Sequence, residues 1–79
     1  MPTRLRIGKY RFHFYSEENN EPPHIHVRSG DHEAKFWLAP VRLARNHGFP
    51  RHELAKIHDL VEENCNLLRR AYDEWHGRN

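Results

Sequence analysis

The stretch HIHVRSGDHEAKFWL, residues 24–38, contains two runs in which apolar and polar residues alternate on either side of a turn. In HIHVR (24–28) the apolar side chains occupy every second position, and EAKFWL (33–38) repeats the pattern after the turn residues SGDH (29–32). A period of two places successive side chains on opposite faces of a strand. The stretch therefore predicts a β-hairpin with one apolar and one polar face.

Two segments upstream show the same alternation. The residues LRI (5–7) and YRFHFYS (10–16) flank a Gly-Lys turn, which predicts a second hairpin whose longer strand has an aromatic face. The segment EENNEPP (17–23) is predicted to be a loop, because proline cannot donate a ladder hydrogen bond and asparagine favours turns. The sheet is therefore expected to be antiparallel, with one face buried.

The C-terminal part of the chain changes to a helical period. Pro50 suits the first helical position, Glu53 complements the helix dipole there, and Gly77 lies where a C-terminal cap belongs. The apolar residues that recur every three or four positions are Leu54, Ile57, Val61, Cys65, Leu68, Tyr72 and Trp75, with Leu60, Leu67 and Ala71 beside them. The pattern predicts one helix of about seven turns. Residues 41–48 fit either a short strand or a helical turn, and we favour extended structure.

These elements predict an α+β fold in a single domain, residues 1–79: a small antiparallel sheet of three to four strands with one long C-terminal helix packed on one face. The helix must bury its apolar stripe, and the apolar face of the sheet is the partner that the pattern offers. The strand residues expected beneath the helix are Phe12, Phe14, Ile25, Val27, Phe36 and Leu38.

The composition is that of a small soluble domain, with 37% hydrophobic and 30% charged residues. No run approaches the roughly 18 apolar residues of a membrane span, and the N-terminus lacks the apolar core of a signal peptide. The single cysteine, Cys65, has no partner for an intramolecular disulfide, which favours a reducing compartment. We therefore expect a cytoplasmic protein that does not associate with membranes. The formal net charge is only +2, with the basic excess in residues 1–45.

The polar face of the predicted sheet carries the candidate functional residues. Strand parity assigns to it Arg11, His13, Tyr15, His24, His26, Arg28, Lys35 and Trp37. An ordinary solvated sheet face explains this composition. A surface for RNA or a protein partner also explains it, with the cations on phosphate and the two large aromatics as stacking planes.

Two chemical interpretations of the same face centre on His24 and His26, which point the same way from one strand. They could be metal ligands, with His13 or Glu33 as a third ligand. One of them could instead act as general acid or base in metal-free phosphodiester cleavage, with Arg28 or Lys35 stabilising the phosphate charge. The motifs of phosphate loops, serine elbows, CxxC pairs and calcium loops are absent from the sequence. The remaining histidines, expected to be solvent-exposed, are His32, His47, His52, His58 and His76.

The combination of LRIGKYRFHFYS, EPPHIHV, EAKFWLAPVRLARNHGF and a closing helix resembles the small bacterial family numbered 4160 among the domains of unknown function. The residues that match its motif are Glu21, Pro22, Pro23, His24, Ile25, His26, Lys35, Phe36 and Trp37. Pro50 departs from the polar capping residue that many relatives have. The resemblance implies a compact prokaryotic domain, often one half of a two-gene, toxin–antitoxin-like pair, and it implies no activity, cofactor or catalytic residue.

We conclude from the sequence that the favoured function is binding of RNA or a cognate protein, as a component of a toxin–antitoxin-like pair. The predicted binding residues are Arg11, His13, His24, His26, Arg28, Lys35 and Trp37. The alternative is a metal-binding or metal-free ribonuclease-type enzyme using His24 and His26. No cofactor is predicted, although a divalent metal stays open, as does a homodimer.

Overall fold

The computed structural model describes residues 5–14 and 20–75, apart from the side chain of Trp75. Within these ranges lie five strands, β1 (Leu5–Ile7), β2 (Tyr10–His13), β3 (His24–Ser29), β4 (His32–Leu38) and β5 (Val41–His47), and two helices, α1 (Arg51–Glu63) and α2 (Cys65–Trp75). The α+β class is confirmed. The expectations for Tyr15, Asn19, His76 and Gly77, and for the packing of Trp75, lie outside the described residues.

The five strands form one antiparallel meander in which each strand pairs with the next along the chain. Both predicted hairpins are present, with turns at residues 8–9 and 30–31. The predicted number of strands, three to four, is too low, because residues 41–47 form a fifth strand. The extended structure that we favoured for this segment is confirmed.

β5 pairs with β4 through a register shift between Lys35 and Phe36. Leu43 opposes Phe36 and Arg45 opposes Lys35, so Ala44 is the extra residue of a β-bulge. Because the bulge inserts one extra residue, the alternation of side chains along β5 shifts by one position at Ala44. Arginines on both sides of it therefore point to the same face of the sheet.

The prediction of one long helix is wrong, because the helix is interrupted at Asn64. The Asn64 side-chain amide donates to the Leu60 carbonyl at 2.8 Å, and the Asn64 backbone N–H is shared between the Leu60 and Val61 carbonyls at 3.2 Å each. A side chain that bonds the carbonyl four residues earlier competes with the helical ladder and bends the helix. α2 then begins at Cys65, whose thiol donates to the Leu38 carbonyl at 3.2 Å.

The core lies between the helices and one face of the sheet. All six strand residues predicted for it are buried there, and the helices contribute Ile57, Val61, Leu68, Ala71 and Tyr72. Leu67, which was expected beside the apolar stripe, is instead 48% exposed. Phe49 is a core residue that the pattern did not predict; it precedes the helix cap, the position from which a hydrophobic staple reaches Leu54. Among the described residues, no helix is both long and apolar enough to span a lipid bilayer.

Gly48, between β5 and α1, has a φ of +104°. A Cβ at this position would lie 2.5 Å from Cδ2 of His32, whose ring packs on Phe49 with 5.3 Å between centroids. We expect Gly48→Ala to lower the free energy of unfolding by about 1–2 kcal/mol for the positive φ, and further because His32 must move. The matched control is Gly8→Ala, at φ +60° with nothing within 4 Å. Equal losses for the two variants in urea denaturation would contradict the contact with His32.

An ion pair joins the β1–β2 turn to the first turn of α1. Lys9 Nζ donates to Glu53 Oε2 at 2.6 Å. This bond raises the pKa of Lys9 above its ordinary value of 10.5 and lowers the pKa of Glu53 below its ordinary value of 4.5. The contribution of Glu53 to stability is therefore present above pH 4.5 and is lost as pH falls through its lowered folded value. The contribution of Lys9 is lost only as pH rises through its raised value, above 10.5.

We expect Lys9→Met to reduce the free energy of unfolding slightly near neutral pH. The difference from the wild-type protein should shrink as pH falls through the lowered pKa of Glu53, because the carboxylate then becomes protonated. It should also shrink in high salt, which screens an exposed pair. Urea denaturation at low pH and in high salt, each compared with neutral buffer of low salt, measures both effects. If the difference in stability between Lys9→Met and the wild type does not depend on pH or salt, the ion pair does not stabilise the fold.

Candidate functional site

Cross-strand pairing places the polar strand residues on one face of the sheet, away from the core. Directly opposed residues on neighbouring antiparallel strands point to the same side. Three such rows cross this face. They are Arg6, Arg11, Arg28, Glu33 and His47; His13, His26, Lys35 and Arg45; and His24, Trp37 and Arg42. We call these residues the basic face, because six of them are Lys or Arg and only Glu33 is acidic.

Three arginines stand side by side in the first row. Arg11 on β2 lies directly opposite Arg6 on β1 and directly opposite Arg28 on β3. All three side chains are exposed. Like charges directly opposite one another destabilise a sheet. The fold therefore maintains a charge arrangement that an anion above the row would relieve.

Two pockets adjoin on the basic face and share Arg28. The first has a volume of about 440 Å³ and is lined by Arg6, Lys9, Arg11, Arg28, Ser29 and Gly30. The second has a volume of about 500 Å³ and is lined by His26, Arg28, Asp31, Glu33, Ala34, Lys35, Arg45 and His47. Since Lys9 is paired with Glu53, the arginines dominate the charge of the first pocket. Both volumes lie within the usual range of ligand pockets.

Two imidazoles and a carboxylate meet in the middle of the basic face. The rings of His13 and His26 are nearly parallel, with an interplanar angle of 19° and 5.7 Å between centroids. Oε2 of Glu33 lies 3.4 Å from His26 Nδ1 and 3.8 Å from His13 Nε2. The side chain of His13 is 22% exposed and that of Glu33 is 27% exposed, against 6% for His26. Solvent therefore reaches this cluster mainly through His13 and Glu33.

His24 points as expected but is not accessible. Its ring lies 5.3 Å from that of His26 and 5.9 Å from that of Trp37, which confirms that the three side chains share one side of the sheet. The expected exposure is wrong, because His24 is only 1% exposed. Its Nδ1 donates to the Pro22 carbonyl at 2.9 Å, and Tyr72 of α2 packs against the ring at 5.7 Å. These contacts indicate a packing role for His24.

Lys35 lies on the predicted side of the sheet but is also buried, at 4% exposure, so the expectation that it is exposed to solvent is wrong. Its ammonium group binds the carboxylate of Glu21, which belongs to the loop before β3. The same ammonium lies 4.8 Å from the centre of the Trp37 ring. The loop thus folds back over the basic face at this point, and it neutralises the charge of Lys35 locally.

The metal hypothesis for His24 and His26 gains no support from ligand geometry. Within residues 5–14 and 20–75, no group of three His, Cys, Asp or Glu side chains is arranged to hold an ion. The Nδ1 atom of His24, which donates to a carbonyl, is not available as a ligand.

The other residues predicted for the polar face differ in their exposure to solvent. Arg11 and Arg28 are exposed as expected, His13 and Trp37 are half-buried, and Tyr15 lies outside the described residues. The members of the basic face that were not predicted are Arg6, Arg42, Arg45 and His47. The alternation of Arg6 with the apolar residues Leu5 and Ile7 is sufficient to predict that Arg6 belongs to the basic face.

Among the remaining histidines, His32, His47 and His52 are exposed as expected. His58 is not: it is half-buried, and its Nε2 lies 3.3 Å from the Val41 carbonyl. That contact ties α1 to the start of β5.

Residues 10–73 match the family described as Domain of unknown function (DUF4160). The chain belongs to this family. The match extends from β2 into α2, and it confirms the resemblance that EPPHIHV and AKFWL carry. No significant match is found among curated proteins or among solved structures. The function of this DUF4160 domain must therefore be argued from the geometry of its basic face.

Proposed function

We propose that this DUF4160 domain binds single-stranded RNA across its basic face. The observation that carries the proposal is the row of exposed arginines, Arg6, Arg11 and Arg28, which lie directly opposite one another on three adjacent strands. Guanidinium groups bind phosphate oxygens in a bidentate manner and remain charged at all physiological pH values. A sugar-phosphate backbone laid over the row replaces repulsion between arginines with several attractive contacts.

Both the shape and the side chains of the face favour a single strand over a duplex. α1 and α2 pack on the opposite side of the sheet, so neither is positioned to enter a major groove beside these arginines. Half-buried rings on the face, His13 and Trp37, offer partial stacking surfaces for unpaired bases. Asp31 and Glu33, in the second pocket, are able to accept a hydrogen bond from a 2′-hydroxyl group, which RNA has and DNA lacks.

The toxin–antitoxin-like pairing that the family resemblance implies adds a cognate protein to this proposal. Such a partner would need acidic groups to complement the arginine row, and it would then compete with RNA for the same face. RNA is favoured as the primary ligand because the arginines follow a track across adjacent strands and pockets lie along it.

The test is fluorescence anisotropy with a short labelled oligoribonucleotide, its duplex, and an acidic peptide of the same net charge. We expect the single strand to bind most tightly. A plot of the logarithm of its association constant against the logarithm of the salt concentration should have a slope of about −0.7 for each phosphate contacted. No binding to the single strand at low salt would contradict the proposal. A preference for the acidic peptide would instead favour a protein partner.

A further inference from the structure

We propose that the basic face also cleaves the RNA that it binds, with His13 and His26 transferring protons and Glu33 positioning His26. The proposal rests on the proposed RNA binding and adds a reaction to it. The observation behind it is that His13 and His26, in the row next to the arginines, meet the carboxylate of Glu33, which lies in the arginine row directly opposite Arg28.

The reaction is an internal transfer at a phosphodiester. His13 accepts the proton of the 2′-hydroxyl, and the 2′-oxygen forms a bond to the adjacent phosphorus. The bond between phosphorus and the 5′-oxygen breaks, and His26, as imidazolium, gives its proton to that oxygen. The products are a 2′,3′-cyclic phosphate and a 5′-hydroxyl, and neither water, a metal nor an oxidant is consumed.

The two imidazoles are arranged for different tasks. His13 is the more exposed ring, which suits the base that meets the incoming 2′-hydroxyl. His26 lines the second pocket, and its Nδ1 lies 3.4 Å from the Glu33 carboxylate, which holds the orientation of the ring. Because the rings stack at 5.7 Å, their edges are able to address the two reacting oxygens of one phosphate.

The arginines next to the cluster supply the charge that this reaction needs. Arg11 and Arg28 lie two residues along their strands from His13 and His26, a distance of about 7 Å. Their long side chains reach a phosphate above the rings, where they stabilise the negative charge that builds up at phosphorus. His24 takes no part, since its ring is buried and its Nδ1 donates to a carbonyl.

The experiment incubates the whole domain with an oligoribonucleotide and with DNA of the same sequence, and it measures binding, kcat, KM and the cyclic phosphate product. We expect the domain to cleave the RNA and not the DNA, and we expect EDTA to leave the cleavage rate unchanged. His13→Ala should lower kcat, measured at saturating RNA, by about 100-fold or more, and activity should recover in added imidazole. Glu33→Gln should lower kcat with KM unchanged, whereas His52→Ala, an exposed helix histidine, should match the wild type.

The role of His26 as proton donor is tested with His26→Gln, and a thermal melt checks the folding of this variant because the ring is buried. RNA that binds the basic face and stays intact would overturn the cleavage and leave the proposed binding function standing. Absence of binding would remove both proposals. Cleavage that persists in His13→Ala, or that EDTA abolishes, would also overturn the mechanism.

Discussion

Replacing Tyr72 by alanine is expected to remove about 3–5 kcal/mol from the free energy of unfolding. Tyr72 is 0% exposed and is the largest fully buried side chain of the described residues. Its ring packs edge-on against Phe14 at 5.8 Å and against His24 at 5.7 Å. Its hydroxyl donates to the Glu21 carbonyl at 3.0 Å. One side chain thus ties α2 to the residue that follows β2, to β3 and to the loop before β3.

A chain of 79 residues has a total stability of about 4–12 kcal/mol, so the alanine variant should lose a large part of its stability. Tyr72→Phe is the matched control, because it keeps the ring and removes only the hydrogen bond. We expect the phenylalanine variant to lose about 1 kcal/mol in urea denaturation. If alanine and phenylalanine cost the same, the packing of Tyr72 against Phe14 and His24 does not hold α2 in place.

The second large effect concerns Arg11, which has an arginine directly opposite it on each side. We expect Arg11→Gln to weaken RNA binding about tenfold, since a hydrogen bond to a charged group contributes about 1.5 kcal/mol. The same substitution should raise the free energy of unfolding of the unbound domain, because it removes two repulsive pairs. Opposite signs for binding and stability are characteristic of a residue retained for function.

Two control variants separate site-specific effects from general ones. Arg11→Lys keeps the charge and should retain the salt dependence of binding, whereas Arg11→Gln should reduce the salt slope by about 0.7. Arg69→Gln removes the same charge from the exposed surface of α2 and should leave RNA affinity nearly unchanged. An equal loss of affinity for Arg69→Gln and Arg11→Gln would mean that net charge, and not the basic face, attracts the RNA.

Strand alternation was sufficient to predict the two faces of the sheet. The side of the sheet occupied by His24, His26 and Trp37 follows from parity alone, and the structure agrees with it. The burial of His24 was not predictable in the same way, because it depends on Pro22 and Tyr72, which reach His24 from a loop and from the far end of the chain. Local periodicity carries no information about such distant contacts.

The errors in the helical half have a similar origin. The apolar period continues without change across Asn64, whereas the break depends on how one polar side chain bonds the backbone of the preceding turn. The contribution of Arg45 and His47 to the basic face depends on a bulge at Ala44, which sequence parity does not reveal. The functional surface is therefore larger than its predicted part.

The most direct test of RNA binding on the basic face is an NMR titration of the ¹⁵N-labelled domain with a short single-stranded oligoribonucleotide. We expect the amide shifts of β1, β2 and β3 around Arg6, Arg11 and Arg28 to move with a common dissociation constant, while those of the exposed side of α1 and α2 stay in place. Shifts concentrated on the helices, with the arginine row unchanged at saturation, would contradict it.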